Sequence, residues 1–425
     1  MREMKDSGIE WVGEIPEEWT KDKVIRLFNI IGSGTTPKNI TSDFPCVNWI
    51  QSGDINGSLI SDCKNNISKS IVSQYSALKI YAAPFIVIAM YGASVGNISI
   101  SLINGCVNQA CCVLSTSICN LNYAFYAIKS SQNYLVRKAI GGGQPNINQD
   151  TIKQLWLPLP ALPEQERIAA FLDAECAEID AVLEKTRASI EEYKQLKQAV
   201  ITQAVTKGIR GDRPMKDSGI EWIGDIPAEW SVVRIKNLFD YRNERNFRPL
   251  DEVNLISLYT DKGVVQHCDL EETTGNKASN ADGYKLVYEN DIVVNIILCW
   301  MGAIGRSAYC GVTSPAYDVY SPKQGINSKF YHYLFRTNGF SGDCYKVGRG
   351  IMAMRWRTYS DQFRAIKVVF PSQSEQEEII KYLDEKCAGI DALITKKQEY
   401  LTEIENYKKS LIYEYVTGKK EVHPL

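Results

Sequence analysis

No run of apolar residues in this sequence approaches the roughly 18–20 that a membrane-crossing helix needs, and the opening stretch MREMKDSGIEW lacks the apolar centre of an export signal. A soluble, cytoplasmic protein without a membrane partner is expected. Histidine is scarce: His267, His332 and His423 are the three in 425 residues. The twelve cysteines include no CxxC pair. A zinc or iron–sulfur centre would lack its usual ligands, so no metal is expected. The cysteines also follow no framework spacing, which predicts reduced and mostly buried thiols. Catalytic signatures are missing too. There is no GxxxxGK[ST] loop, no strand-linked GxGxxG, no HExxH, no GxSxG and no Asn-Pro-Pro-Tyr string of an adenine methyltransferase. GSGTTP at Gly32 and GGGQPN at Gly141 look like phosphate cradles, but neither is followed by the lysine and hydroxyl residue of a phosphate loop. The chain is expected to be non-catalytic and to hold no cofactor of its own.

What the sequence does have is enough apolar content, 44% of 425 residues, to bury the cores of two or three domains. Its 48 basic and 50 acidic residues leave a net charge of −2. An autonomous nucleic-acid binder is usually basic, so any DNA contact must rely on local basic loops or on partners that neutralise phosphate.

The strongest signal is an internal duplication. MKDSGIEWVGEIPEEW at residues 4–19 returns as MKDSGIEWIGDIPAEW at residues 215–230, with 13 of 16 positions identical and a shift of 211. The same shift aligns PEQERIAAFLDAECAEIDAVL from Pro163 with SEQEEIIKYLDEKCAGIDALI from Ser374, so that Glu164, Gln165 and Asp180 meet Glu375, Gln376 and Asp391. Between these blocks the copies have diverged, yet GASVGN at Gly92 still answers GAIGR at Gly302. Two copies are too few for a solenoid, and a pseudo-twofold arrangement is the alternative.

From Glu164 to about Thr206 there is no proline and one apolar stripe, which predicts a long helix. Cys176, Leu183 and Ile190 fall at heptad position a, with Leu172, Ile179, Tyr193 and Val200 at d. The second copy keeps the register, with Ile380, Cys387, Ile394 and Leu401 at a and Leu383, Ile390, Ile404 and Leu411 at d. Each helix would span roughly 60 Å, and antiparallel pairing would bury both seams. The competing arrangement packs each helix on its own domain as an ordinary amphipathic helix. Polar residues in the stripe, Thr186, Lys197, Lys397 and Lys408, keep that arrangement open.

The intervening bodies show short β-branched and aromatic runs such as AAPFIVIAMYG at Ala82 and ENDIVVNIILCWMG at Glu289, each ending in a glycine turn. The expected fold is therefore α+β: two pseudo-twofold-related mixed α/β domains separated by two long antiparallel coiled-coil helices. The boundaries fall at 1–158 for the first domain, 159–210 for the central helix, 211–369 for the second domain and 370–425 for the C-terminal helix.

Loops rich in Gln, Asn and Arg are what reading base edges requires, since Gln and Asn pair bidentately with adenine and Arg with guanine. In the first body the candidates are Thr35, Thr36 and Lys38, then Gln144, Asn146 and Asn148. In the second they are Arg242, Arg245 and Arg248, interleaved with Tyr241 and Phe247, and Arg349, Arg355 and Arg357 of KVGRGIMAMRWRTYSD. Turn geometry and plain solvation compete with DNA contact for each of these residues.

The order GIEWxGxIPxxW, variable domain, PLPxLPEQERIAxFLD and long helix, then all of it again, resembles the specificity subunits of type I restriction-modification systems across essentially the whole chain. The resemblance implies two target recognition domains that read the halves of a split sequence in double-stranded DNA, with the helices as a ruler for the spacer. It also implies two modification subunits that bind S-adenosylmethionine and methylate adenine, and restriction subunits that use ATP and magnesium. A coiled-coil scaffold that binds proteins without reading DNA is the other reading. PSQSEQEE replaces PALPEQER in the second copy, so a different start to its helix is expected.

Overall fold

A continuous apolar run needs cover on both faces, and in this protein such a run forms the centre of each domain's main sheet. The computed structural model describes residues 2–38, 40, 44–92, 94–139, 146–269, 280–350 and 356–422. They fold as two compact units, one of Met1–Arg187 with Glu399–Leu425 and one of Ala188–Gln398.

In the first unit the main sheet has five strands in the order Ile30–Gly32, Cys111–Ser115, Phe85–Ala89, Ile98–Ser101 and Leu59–Ile60. Residues along Phe85–Ala89 alternate between two cores, as the two-residue period of a strand demands. Ile86 and Ile88 join Cys112 and Leu114 under the helix Leu121–Ser130, whereas Phe85, Val87 and Ala89 meet Ile50, Ile60 and Val107 on the other face. A three-stranded sheet of Gly105–Val107, Cys46–Ile50 and Asn66–Ser68 completes that second layer.

The second unit repeats the first four strands in order: Phe239–Arg242, Tyr317–Pro322, Ile292–Asn295 and Ile304–Arg306. The two-faced burial repeats as well, with Ile292 and Val294 in one core and Val293 in the other. Gly92 and Gly302 follow the central strands at the same φ of +88°, a left-handed turn that tolerates little else. The duplication thus extends into bodies whose sequences no longer match.

The long helices run Leu162–Lys207 and Gln373–Val416. Both start at equivalent positions despite the altered lead-in, which corrects the expectation of a different start. Ser372 explains it, because its hydroxyl accepts the Glu375 amide at 3.4 Å and caps the second helix without the lost proline. The heptad stripe lies inward: Leu172, Cys176, Leu183 and Ile190 are buried, with Ile179 and Tyr193 half-buried, and Leu383, Cys387 and Ile390 are buried, with Ile394, Leu401 and Ile404 half-buried.

Within each unit the two helix segments run antiparallel. In the first, Lys408 meets Asp180 at 2.5 Å and Arg187 meets Glu405 at 2.6 Å. In the second, Lys197 meets Asp391 at 2.6 Å and Lys397 lies over the Tyr193 ring at 5.7 Å. Two of the lysines that interrupt the stripe, Lys197 and Lys408, therefore reach aspartates of the facing helix, and the pair Lys197–Asp391 is the repeat of Lys408–Asp180. The competing arrangement is also partly realised, since Ile168, Ala169 and Leu172 pack into the first body's core and Ile379, Ile380 and Leu383 into the second's.

The repeated Glu-Gln motif is the joint of each unit. Glu164 accepts the Trp19 indole N–H at 3.1 Å and pairs with Arg2 at 2.6 Å, and Glu375 does the same with Trp230 at 2.7 Å and Arg213 at 2.5 Å. Gln165 donates to the Pro160 carbonyl and accepts from the Asn120 amide, tying the helix start to the strand before it and to the body's own helix. Gln376 repeats both bonds with Pro371 and Asn327.

His332 is a half-buried group with a pH consequence. Its Nδ1 accepts the Arg306 amide at 3.1 Å. Burial, then Arg336, Arg306 and Lys329, push it from 6.5 down to about 3, opposed by Asp384. Between those values the unfolded chain takes up a proton that the folded chain refuses, so stability is full above about pH 6.5 and falls as pH drops, by about 1.4 kcal/mol per pH unit at most. Calorimetry of the wild type and of His332→Gln between pH 7 and 4 should show a shallower acid decline in the variant; equal slopes would contradict this.

All twelve cysteines are free thiols, nine of them buried. Among the described residues no helix is long and apolar enough to cross a membrane, and no group of three or more His, Cys, Asp or Glu is placed to hold a metal ion.

Candidate nucleic-acid interface

The candidate residues of each body come from two places in the frame: the segment that leaves the sheet's edge strand, and the loop before the short helix preceding the last strand. In the first body the leaving segment lies flat on the sheet. The Ser33 hydroxyl donates to the Cys111 carbonyl at 2.7 Å and Tyr81 donates to the Ser33 carbonyl at 2.9 Å. A Cβ on Gly34 would stand 1.6 Å from the Val107 carbonyl oxygen, so only glycine lets the segment lie this close. Thr35 is half-buried, while Thr36 and Lys38 are exposed.

Thr36 donates from Oγ1 to Oε1 of Gln109 at 2.5 Å, and the Gln109 amide lies near the Tyr91 hydroxyl. Tyr91 in turn bridges Asn146 of the second loop, whose neighbour Ile147 donates to the Met90 carbonyl at 2.7 Å. Thr36 and Asn146, 110 positions apart, thus belong to one surface joined through Gln109 and Tyr91. Sequence reasoning missed both joining residues. Gln109 stands on the turn between Gly105–Val107 and Cys111–Ser115, where Asn108 accepts the Ala110 amide at 3.1 Å. Burial raises the Tyr91 hydroxyl above its ordinary value and the nearby Gln109 amide opposes that rise.

Asn148 is turned away from this surface's chemistry. Its Oδ1 accepts the Thr151 amide at 2.7 Å and hydroxyl at 2.9 Å, capping the helix Gln149–Lys153. Gln144 lies outside the described residues.

In the second body Arg349 and Arg357 face each other across an antiparallel bridge, with amide-to-carbonyl distances of 2.8 and 3.0 Å. Arg349 is exposed and Arg357 half-buried; Arg355 lies outside the described residues. Trp356 anchors this loop by stacking on Tyr345 at 5.0 Å and donating to the Tyr345 carbonyl at 3.1 Å. Thr358 fixes its far end through the Ile296 and Cys344 carbonyls.

The other arginine cluster is divided. Arg242 pairs with Asp291 at 2.9 Å and Glu244 at 2.5 Å and lies over the Tyr288 ring, so its charge is matched within the body. Arg245 donates to the Gly283 carbonyl and to Asn243. Arg248 is exposed beside Phe247, itself 81% exposed. Beneath them the buried Lys285 pairs with Asp318 at 2.8 Å and donates to Tyr241, and Asp318 accepts from Tyr320, whose oxygen accepts in turn from the Ser360 hydroxyl. That network links the edge strand to the short helix Ser360–Ala365 and holds the two loop regions in register.

One frame therefore presents two linings: hydroxyl and amide groups with one lysine, Lys38, in the first body, arginines and stacked aromatics in the second. Such groups in exposed loops can read base edges or hold phosphate.

Comparison with known proteins follows the same duplication. The sequence pattern of the type I restriction modification DNA specificity domain matches residues 16–192 and again residues 227–403. The chain is 25% identical over 320 residues to the specificity subunit of the type I restriction enzyme MjaVIII of Methanocaldococcus jannaschii, covering 71% of each. It is 24% identical over 356 residues to the EcoDI specificity subunit of Escherichia coli, covering 76% of each. A solved chain from a study of complex assembly and conformational transition of the type I R-M system matches with a TM-score of 0.70 at 14% identity, over 96% of this chain and 99% of that one. The HsdS subunit of Thermoanaerobacter tengcongensis matches with a TM-score of 0.50 at 15% identity, over 96% and 98%. At these identities the structural likeness is one of fold.

Proposed function

Because the chain belongs to the DNA specificity family of type I restriction-modification systems, we propose that its two bodies read the two parts of a split DNA target while the paired long helices fix the gap between them. It is the specificity subunit of such a system, and its partners are DNA and the other subunits of the complex. Methylation of adenine by two modification subunits with S-adenosylmethionine, and ATP- and magnesium-dependent cleavage by restriction subunits, complete the proposal. Those cofactors belong to the partners, and this chain supplies recognition.

The observation that carries the reading is that the same four-stranded frame occurs twice with different loop side chains. Symmetric dimers present identical readers to identical half-sites; a fused pair with diverged loops serves halves that differ. The net charge of −2 fits as well, because partner subunits surrounding the duplex would supply most of the phosphate neutralisation.

Arg349 and Arg357 are the residues proposed to read the second part, with Trp356 and Tyr345 as their support. The double variant Arg349→Ala, Arg357→Ala, assembled with its methyltransferase, should relax preference at positions of that part by roughly 5- to 150-fold each, the range for losing a bidentate arginine contact. Preference in the first part should stay as it is. Sequencing of modified sites reads both parts at once, and relaxation in the first part would contradict the assignment.

A further inference from the structure

We propose that Gln109 reads an adenine in the first part of the target, with Thr36 and Tyr91 as the residues that position its amide. This rests on the reading that the first body faces DNA bases.

A glutamine amide offers two lone pairs on Oε1 and two N–H groups on Nε2. Here Thr36 donates to Oε1 at 2.5 Å, with the Tyr91 hydroxyl near the same side chain. One acceptor site on Oε1 and the Nε2 donor remain, side by side on an exposed residue. Adenine presents the complement in the major groove, an N7 acceptor beside an N6–H donor. Guanine offers two acceptors there, cytosine a donor, and thymine an acceptor beside a methyl group. Among the four bases adenine alone satisfies both free groups.

The mounting also suits reading. Gln109 stands on a turn whose geometry is set by Asn108, which accepts the Ala110 amide, while its own amide donates to the Ile50 carbonyl at 3.2 Å. A glutamine free in solvent loses rotamer freedom when it binds, and one already held by Thr36 loses less. The loops that converge on it, at Thr36 and at Asn146, place further polar groups around the same spot.

The test uses the full chain assembled with its methyltransferase, reading modified sites by sequencing on a random-sequence DNA library. Gln109→Ala should lose preference at one adenine position of the first part by roughly 5- to 150-fold, with every other position of both parts kept. Gln109→Glu should move that position toward cytosine, because a carboxylate only accepts and cytosine offers N4–H. Thr36→Val and Tyr91→Phe should relax the same position by a smaller factor. A glutamine that merely ties the loops together would lower modification evenly without changing any preference, and that result overturns the proposal, as does an unchanged first part. In either case an intact two-part motif from the wild type keeps the underlying reading; a wild-type complex that modifies without a two-part motif refutes that reading instead.

Discussion

Removing one heptad from each long helix, residues 184–190 and the equivalent 395–401, shortens the gap in the recognised DNA while leaving both half sequences intact. Seven residues of helix are about 10.5 Å, which is about 3 base pairs of duplex. A heptad is the right quantum because it preserves the seam: Tyr193 takes the position of Thr186 and Lys197 that of Ile190, both still facing the partner helix. Both helices must be shortened together, since Lys408–Asp180 and Lys197–Asp391 lock the antiparallel register at two places. Three base pairs also turn the duplex by about 100°, so modification should slow even where the gap is met. Sequencing of modified sites gives the gap directly. A gap of unchanged length would mean that something other than the helices sets it.

Glu375→Ala should be the most damaging single substitution in the second unit. Its side chain is 2% exposed, and it neutralises Arg213, 10% exposed, while accepting the Trp230 indole N–H. Truncation leaves the buried Trp230 indole without its acceptor and the Arg213 guanidinium with only Glu229 and the Lys207 carbonyl, at a cost of up to about 3–5 kcal/mol. For a unit of this size that is a fall of roughly 6–20 °C in its melting temperature. Glu164→Ala makes the same cut in the first unit, where the glutamate is 14% exposed and Arg2 keeps two carboxylates, Glu18 and Glu421, against the one, Glu229, that Arg213 keeps, so the loss should be smaller. Calorimetry of the two variants checks the order. A change of less than 2 °C for Glu375→Ala would show that the joint is not what holds the opening hairpin to the helix.

Much of the architecture was legible because the signals are local or repeated. The helix expected from Glu164 to about Thr206 forms over Leu162–Lys207, since prolines, heptads and charged faces all lie in one stretch of sequence. What the pattern of one helix could not show is why lysines sit in its apolar stripe; their aspartate partners lie on the other helix, 194 and 228 positions away. The interface was harder to see for the same reason. Thr36, Tyr91, Gln109 and Asn146 come together only through the strand order of the sheet, so nothing in its local sequence marks Gln109 as part of the site. Arg242 stands among the DNA candidates in the sequence because Asp291, which matches its charge, is 49 positions downstream. Asn148 precedes a short helix and is readable from the sequence as its cap, although it also sits beside a glycine-rich stretch.

The central claim is that two related bodies, held at a set separation, select two patches of base pairs. Mapping every modified base in DNA exposed to the assembled wild-type complex tests it most directly. The expected result is a single motif in two specified parts of different sequence, with a gap of constant length and free composition. A continuous motif, or modification without sequence preference, would contradict it.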